Sequence, residues 1–110
     1  MANRKQTLNF LIEQMELIAR TYFETKRQIG EVIILEDSDL SELQHRQTAF
    51  IRKVENSYNK LNPLEQVVIN NDFFYEEYPF WWKRLYSKSQ YMHLKKRAMT
   101  HFLSIFYDEN

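Results

Sequence analysis

Apolar positions recur every three or four residues along most of the chain, the period of a helix with one buried face. Over residues 5–28, Leu8, Leu11, Met15, Ile18 and Tyr22 are spaced by threes and fours, the seam of helices packed side by side. Phe10, Ile12, Leu17, Ala19 and Phe23 widen the stripe, so this helix is expected to touch more than one neighbour. Gly30 stands where a C′ glycine would end it. Residues 32–35 fit either an extra helical turn or an extended plug on the core. Residues 36–39 read as a polar linker, with Asp39 and Glu42 at capping-box spacing and Ser38 as the alternative cap. A second helix then runs to about Leu61. Leu40, Leu43, Phe50, Val54 and Leu61 lie on its apolar positions, and Gln47 and Ser57 interrupt them. Two amphipathic helices on a short linker fold back as an antiparallel hairpin. A homodimer joined through the same seams is the competing arrangement.

The second half changes character. Asn62-Pro63-Leu64-Glu65 is a helix start, with Asn as cap, Pro at the first helical position and Glu reaching back from the third. The helix it opens is expected over 63–71. Pro79 is expected to start a short helix ending at Leu85. Ser87-Lys88-Ser89-Gln90 forms a second capping box, opening a long helix to about Phe106. On that helix Tyr91, Leu94, Ala98, Phe102 and Ile105 share a core face. Met92, Met99, Leu103 and Phe106 form a neighbouring apolar stripe, expected to pack on the N-terminal hairpin. The expectation is an all-α protein: an antiparallel helical hairpin over 1–60, serving packing or oligomerisation, against a three-helix module over 61–110.

Composition narrows the function classes. A single Gly among 110 residues leaves no material for phosphate-cradling loops, dinucleotide fingerprints or tight two-residue hairpins. The absence of Cys removes disulfides, thiolate zinc sites and thiol nucleophiles. His45, His93 and His101 are too dispersed for a metal pair, and the adjacent acids at 36–37, 76–77 and 108–109 do not face one another on a helix. Neither catalysis nor a metal or cofactor is expected. Charges interleave with apolar residues throughout the first thirty positions, which is unlike an export signal or a membrane span. The chain reads as soluble and cytoplasmic.

The net charge of zero hides a separation of charge. Lys83, Arg84, Lys88, Lys95, Lys96 and Arg97 fall within residues 78–107, which hold no acid, whereas residues 1–77 are net acidic. Such a basic segment is either a solvated helix face or the electrostatic footprint of a nucleic-acid site. Placed at about 100° per residue, Ser89, His93, Lys96, Arg97 and Thr100 gather opposite the core stripe. All five are able to donate hydrogen bonds to phosphates or base edges. Lys88 and Gln90 lie in the first turn, where recognition helices meet bases.

Leu61-Asn-Pro-Leu-Glu-Gln-Val-Val-Ile69 followed by Tyr86-Ser-Lys-Ser-Gln-Tyr-Met-His-Leu-Lys-Lys-Arg-Ala98 resembles the helix-turn-helix of the C-terminal region of bacterial sigma factors. It is closer still to small phage-type transcription regulators built on that module. The resemblance covers about residues 61–106. It implies a non-enzymatic, DNA-binding transcriptional regulator whose partner is double-stranded DNA. By carry-over, Lys88, Ser89, Gln90 and His93 would face bases, and Lys96 and Arg97 would hold phosphates. Two stretches depart from the family pattern: Phe80-Trp81-Trp82 replaces a small residue of the preceding helix, and Arg84-Leu85-Tyr86 fills a turn that favours Gly. The alternative is a protein-interaction adaptor on the same scaffold, contacting RNA polymerase for example.

Eight aromatics crowd residues 73–86: Phe73, Phe74, Tyr75, Tyr78, Phe80, Trp81, Trp82 and Tyr86. In a small domain most of them are expected to fill the core. The functional reading is an exposed hot spot for a protein partner.

Overall fold

In the computed structural model, which describes the backbone of residues 4–32 and 38–108 and the side chains of 8–29 and 42–108, the chain is all-α. Among these residues the helices are α1 (Arg4–Val32), α2 (Ser38–Asn59), α3 (Pro63–Ile69) and α4 (Lys88–Asp108), with a π-helical turn at Asn70–Phe74. None of the described helices is long and apolar enough to cross a membrane.

The seam read along α1 is the buried one. Leu11, Met15, Ile18 and Tyr22 are in the core with Ala19, and Leu8 and Ile12 pack against it. The stripe is narrower than the sequence suggests, because Phe10 and Leu17 face outward, while Phe23 lies at its edge and packs edge-on against Phe74 and Tyr75. The helix also passes through Gly30 to Val32 instead of ending at the glycine. Gly permits a left-handed exit but does not force one, and a helical Gly costs only ~1 kcal/mol relative to Ala. Of residues 32–35, Val32 is helical; of the linker expected at 36–39, Ser38 and Asp39 instead open α2; residues 33–37 and the cap side chains at Ser38 and Asp39 lie outside the residues or side chains described.

α2 runs antiparallel to α1. The Tyr22 hydroxyl donates to Glu55 Oε2 at 2.7 Å, and Gln47 Nε2 donates to Gln28 Oε1 at 3.1 Å nearer the connection. The polar interruption at Ser57 is fully buried but satisfied, since its hydroxyl donates to the Lys53 carbonyl at 2.7 Å. Val54 and Leu61 complete the α2 contribution, with Phe50 half-buried and Leu43 exposed.

α3 starts as its capping box dictates. Asn62 Oδ1 accepts from the Glu65 backbone N–H at 2.9 Å, and the Asn62 N–H donates to Glu65 Oε1 at 3.1 Å. Its exit differs from the expected simple stop near residue 71. The helix widens into the π-helical turn, closed by the Tyr75 N–H donating to the Asn70 carbonyl at 2.7 Å. Val68, Ile69 and Phe73 are thereby buried on one side of the turn.

The short helix expected over 79–85 is not formed. Residues 79–85 make consecutive turns, with Lys83 N–H on the Phe80 carbonyl at 3.0 Å and the Leu85 and Tyr86 N–H groups sharing the Trp82 carbonyl at 2.9 Å. The physical reason is Phe80, whose φ of 60° breaks any right-handed helix through it. The C-terminal unit therefore has α3, the π-helical turn and α4, and no α-helix where the helix-turn-helix pattern places the one before the recognition helix.

α4 packs on α1, α2 and α3. Both of its apolar stripes are used: Tyr91, Ala98 and Phe102 are buried on one, and Met99, Leu103 and Phe106 on the other. The second stripe meets the hairpin as expected. Phe106 packs edge-on against Phe50 with ring centroids 6.2 Å apart, Lys53 Nζ sits 4.6 Å over the Phe106 ring, and the Tyr107 hydroxyl donates to Gln14 Oε1 at 2.5 Å.

Candidate nucleic-acid interface

With two adjoining stripes buried, one arc of α4 is left to solvent, and it is the arc carrying the candidate residues. Ser89, Gln90, His93, Lys96, Arg97 and Thr100 are all exposed, as is Lys88 in the first turn. The capping box fixes where this face begins. Ser87 N–H donates to Gln90 Oε1 at 2.9 Å, and the Gln90 N–H donates to Ser87 Oγ at 3.1 Å. The first helical bond, from the Tyr91 N–H to the Ser87 carbonyl, is 2.9 Å long. A shallow hollow of about 310 Å³ lies along the face, lined by Ser89, Gln90, His93, Leu94 and Arg97.

Not every candidate is equally free to act. Gln90 has its carboxamide oxygen committed to the cap. The Thr100 hydroxyl donates to the Lys96 carbonyl at 2.8 Å, so its proton is held within its own helix. Lys88, Lys96 and Arg97 form no ion pair among the described residues.

Lys95 has a different fate from its neighbours. It is 17% exposed and lies 3.4 Å from Asp72 Oδ2, with its ammonium over the Phe73 and Tyr91 rings at 5.3 and 5.6 Å. Asp72, 9% exposed on the π-helical turn, is the centre of a network. It also accepts the Trp81 indole N–H at 2.8 Å and the Tyr91 hydroxyl. Trp82 stacks on Tyr91 with centroids 4.4 Å apart and planes 6° from parallel, and Trp81 meets the same ring edge-on at 6.0 Å. Burial first, then the hydrogen bond to Asp72 and its negative charge, push the Tyr91 hydroxyl far above its ordinary value of 10.0. This network holds the start of α4 where a preceding α-helix is lacking.

Sequence reasoning missed this centre. Asp72 reads as the polar end of a helix, and only its position ahead of an aromatic run hinted at more. The expectation that the aromatic block is mostly core is also corrected. Phe73 alone is buried; Phe74, Trp81, Trp82 and Tyr86 are half-buried, and Tyr75, Tyr78 and Phe80 are exposed. The core is already filled by α1, α2 and α4, so the block lies across its edge.

Comparison with protein-family models, curated proteins and solved structures gives no match for the chain.

Proposed function

We propose that the chain is a non-enzymatic, DNA-binding transcriptional regulator of a sigma-factor-like kind, with α4 as its recognition helix and the turns of residues 79–85 standing in place of the helix that precedes it in a helix-turn-helix. The observation that carries this reading is the division of cations along α4. Lys95 is turned inward and neutralised by Asp72, whereas Lys88, Lys96 and Arg97 stand exposed without an acidic partner among the described residues. A face that offers unpaired cations beside Ser89 and His93 suits phosphates flanking base edges. In this reading Lys96 and Arg97 hold phosphates, while Lys88, Ser89, Gln90 and His93 lie nearest the bases. Gln90 contributes its amide hydrogens, and Thr100 serves only as an acceptor.

The test is binding of a mixed-sequence duplex at low ionic strength, followed by fluorescence anisotropy. Wild type binds, and Lys96→Glu/Arg97→Glu, checked for native helicity, does not. Equal binding by both proteins would refute the assignment.

The exposure of Tyr75 and Tyr78 favours a second reading, an adaptor that docks on a protein such as RNA polymerase. In that case Tyr75→Ala/Tyr78→Ala abolishes capture of polymerase while the α4 double variant leaves it intact.

A further inference from the structure

We infer that the hollow between the loop of residues 76–82 and α4 binds a quaternary ammonium cation, held by aromatic rings and the Glu76 carboxylate. The inference is independent of the DNA-binding reading, because the lining of this hollow shares no residue with the candidate face.

The hollow measures about 550 Å³, within the range of small-molecule sites, and lies on the side of α4 that carries Tyr91 and Lys95. Its walls are rings: Tyr78, Phe80, Trp81, Trp82 and Tyr91 all line it. Phe80 and Trp82 meet at 66° with centroids 6.3 Å apart, and Trp81 stands at 87° to Tyr91, so these pairs form corners. Phe80 is held there by its backbone. Its φ of 60° lies in the left-handed region, which bulky side chains disfavour, and such strain persists only where the surroundings impose it. They do so here, since Trp81 is tied to Asp72 and Trp82 is stacked flat on Tyr91. The Phe80 ring is left 65% exposed at the hollow instead of joining the core.

Charge selects the ligand. Two acids, Asp72 and Glu76, line the hollow against one base, Lys95. Lys95 is spent on Asp72, whose oxygens also accept the Trp81 indole and the Tyr91 hydroxyl. Glu76 is exposed and forms no ion pair among the described residues; Arg20 of α1 shares a neighbouring hollow with it and does not pair with it. One negative charge is thus left uncompensated beside ring faces that attract cations. The rings already do so: Lys95 Nζ lies 5.6 Å from the Tyr91 centroid, and Lys83 Nζ, which does not line the hollow, lies 5.3 Å from that of Phe80. Hydrogen-bonding capacity then decides the kind of cation. A primary ammonium or a guanidinium needs several acceptors, and Glu76 is the one lining carboxylate left free. A quaternary ammonium has no N–H to satisfy, so rings and one nearby charge suffice.

Trp81 and Trp82 are the only tryptophans of the chain, so intrinsic fluorescence of the full chain reads this hollow. Choline is the probe, and 3,3-dimethylbutan-1-ol is its uncharged isostere. Choline changes the emission of wild type with a Kd on the order of 1 mM, and the isostere binds at least about ten-fold more weakly. Phe80→Ala weakens choline about five-fold, and Glu76→Gln about three-fold. Lys83→Gln removes a competing cation and tightens binding. Phe80→Gly relieves the backbone and melts no lower than wild type, so its loss of choline binding is not a folding defect. Phosphocholine distinguishes the source of the group: tighter binding than choline assigns a lipid headgroup, weaker binding a free ammonium, and both uphold the inference. It is overturned if wild type ignores both choline and phosphocholine, if the isostere binds as well as choline, or if Phe80→Ala and Glu76→Gln bind as wild type does. Binding of a trimethyllysine peptide with no response to either small cation assigns the hollow to a protein tail and also overturns it.

Discussion

The Glu65 carboxylate of α3 meets Nδ1 of His101 on α4 at 2.8 Å, with the glutamate side chain 3% exposed and the histidine 45%. A carboxylate only accepts, so Nδ1 carries the proton. The same oxygen, Oε1, also accepts the Asn62 N–H that opens α3. One buried atom therefore closes the α3 cap and ties α3 to α4.

Glu65→Ala removes the α3 cap and the link to α4 together, so it is expected to cost about 1–3 kcal/mol. Glu65→Gln keeps an acceptor at the cap and is expected to cost less. His101→Ala is expected to cost under about 1 kcal/mol, because the ring is nearly half solvated and water replaces its contact. Urea melts of the three variants check the order. Equal losses for Glu65→Ala and His101→Ala would show that the cap contributes nothing.

The junction between hairpin and C-terminal unit is centred on Phe106, buried against Phe50 and capped by Lys53. Phe106→Ala is expected to destabilise by about 3–5 kcal/mol, the range for a fully buried Phe. A loss below about 0.5 kcal/mol in denaturant melts would place the ring at the surface.

Alkaline stability follows from the tyrosines. Burial raises Tyr22, Tyr58 and Tyr91; Tyr22 is raised further by the hydrogen bond and charge of Glu55, and Tyr91 by those of Asp72. A hydroxyl with a raised folded-state value contributes stability that is complete below its unfolded value of 10.0 and is lost as pH climbs from there toward the folded value. Phenolate absorbance is therefore expected to show Tyr22, Tyr58 and Tyr91 ionising only well above pH 10, delayed until the fold opens. Ionisation of these three at their ordinary value in the native protein would contradict their burial.

What was legible in the sequence is what local chemistry decides. The boxes at Asn62/Glu65 and Ser87/Gln90 fix the starts of α3 and α4 because cap and partner lie three residues apart and need nothing else. The α1 seam and the two α4 stripes were legible because period and burial coincide. Residues 70–86 were not. Their shape comes from contacts that no local pattern encodes: Asp72 gathering Trp81, Tyr91 and Lys95 from three segments, and Trp82 stacking across the turn onto α4. Pro79 marked a helix start, yet the two anchored tryptophans turn the chain at Phe80 and end it before it begins. The candidate face was legible as an arc. That Lys95 leaves the basic set, and that Gln90 and Thr100 spend hydrogen-bonding capacity on their own backbone, required the folded chain.

The central claim, that the exposed cations of α4 hold DNA phosphates, is tested most directly by the salt dependence of duplex binding. The affinity of wild type for a mixed-sequence duplex is measured across a salt series beside Lys96→Gln/Arg97→Gln, which removes the cations without adding repulsion. The account predicts a linear fall of log K with log salt for wild type, and a slope shallower by about 1.8 in the variant, near 0.9 for each lost phosphate contact. Identical slopes for the two proteins, or no binding by wild type at low salt, would contradict it.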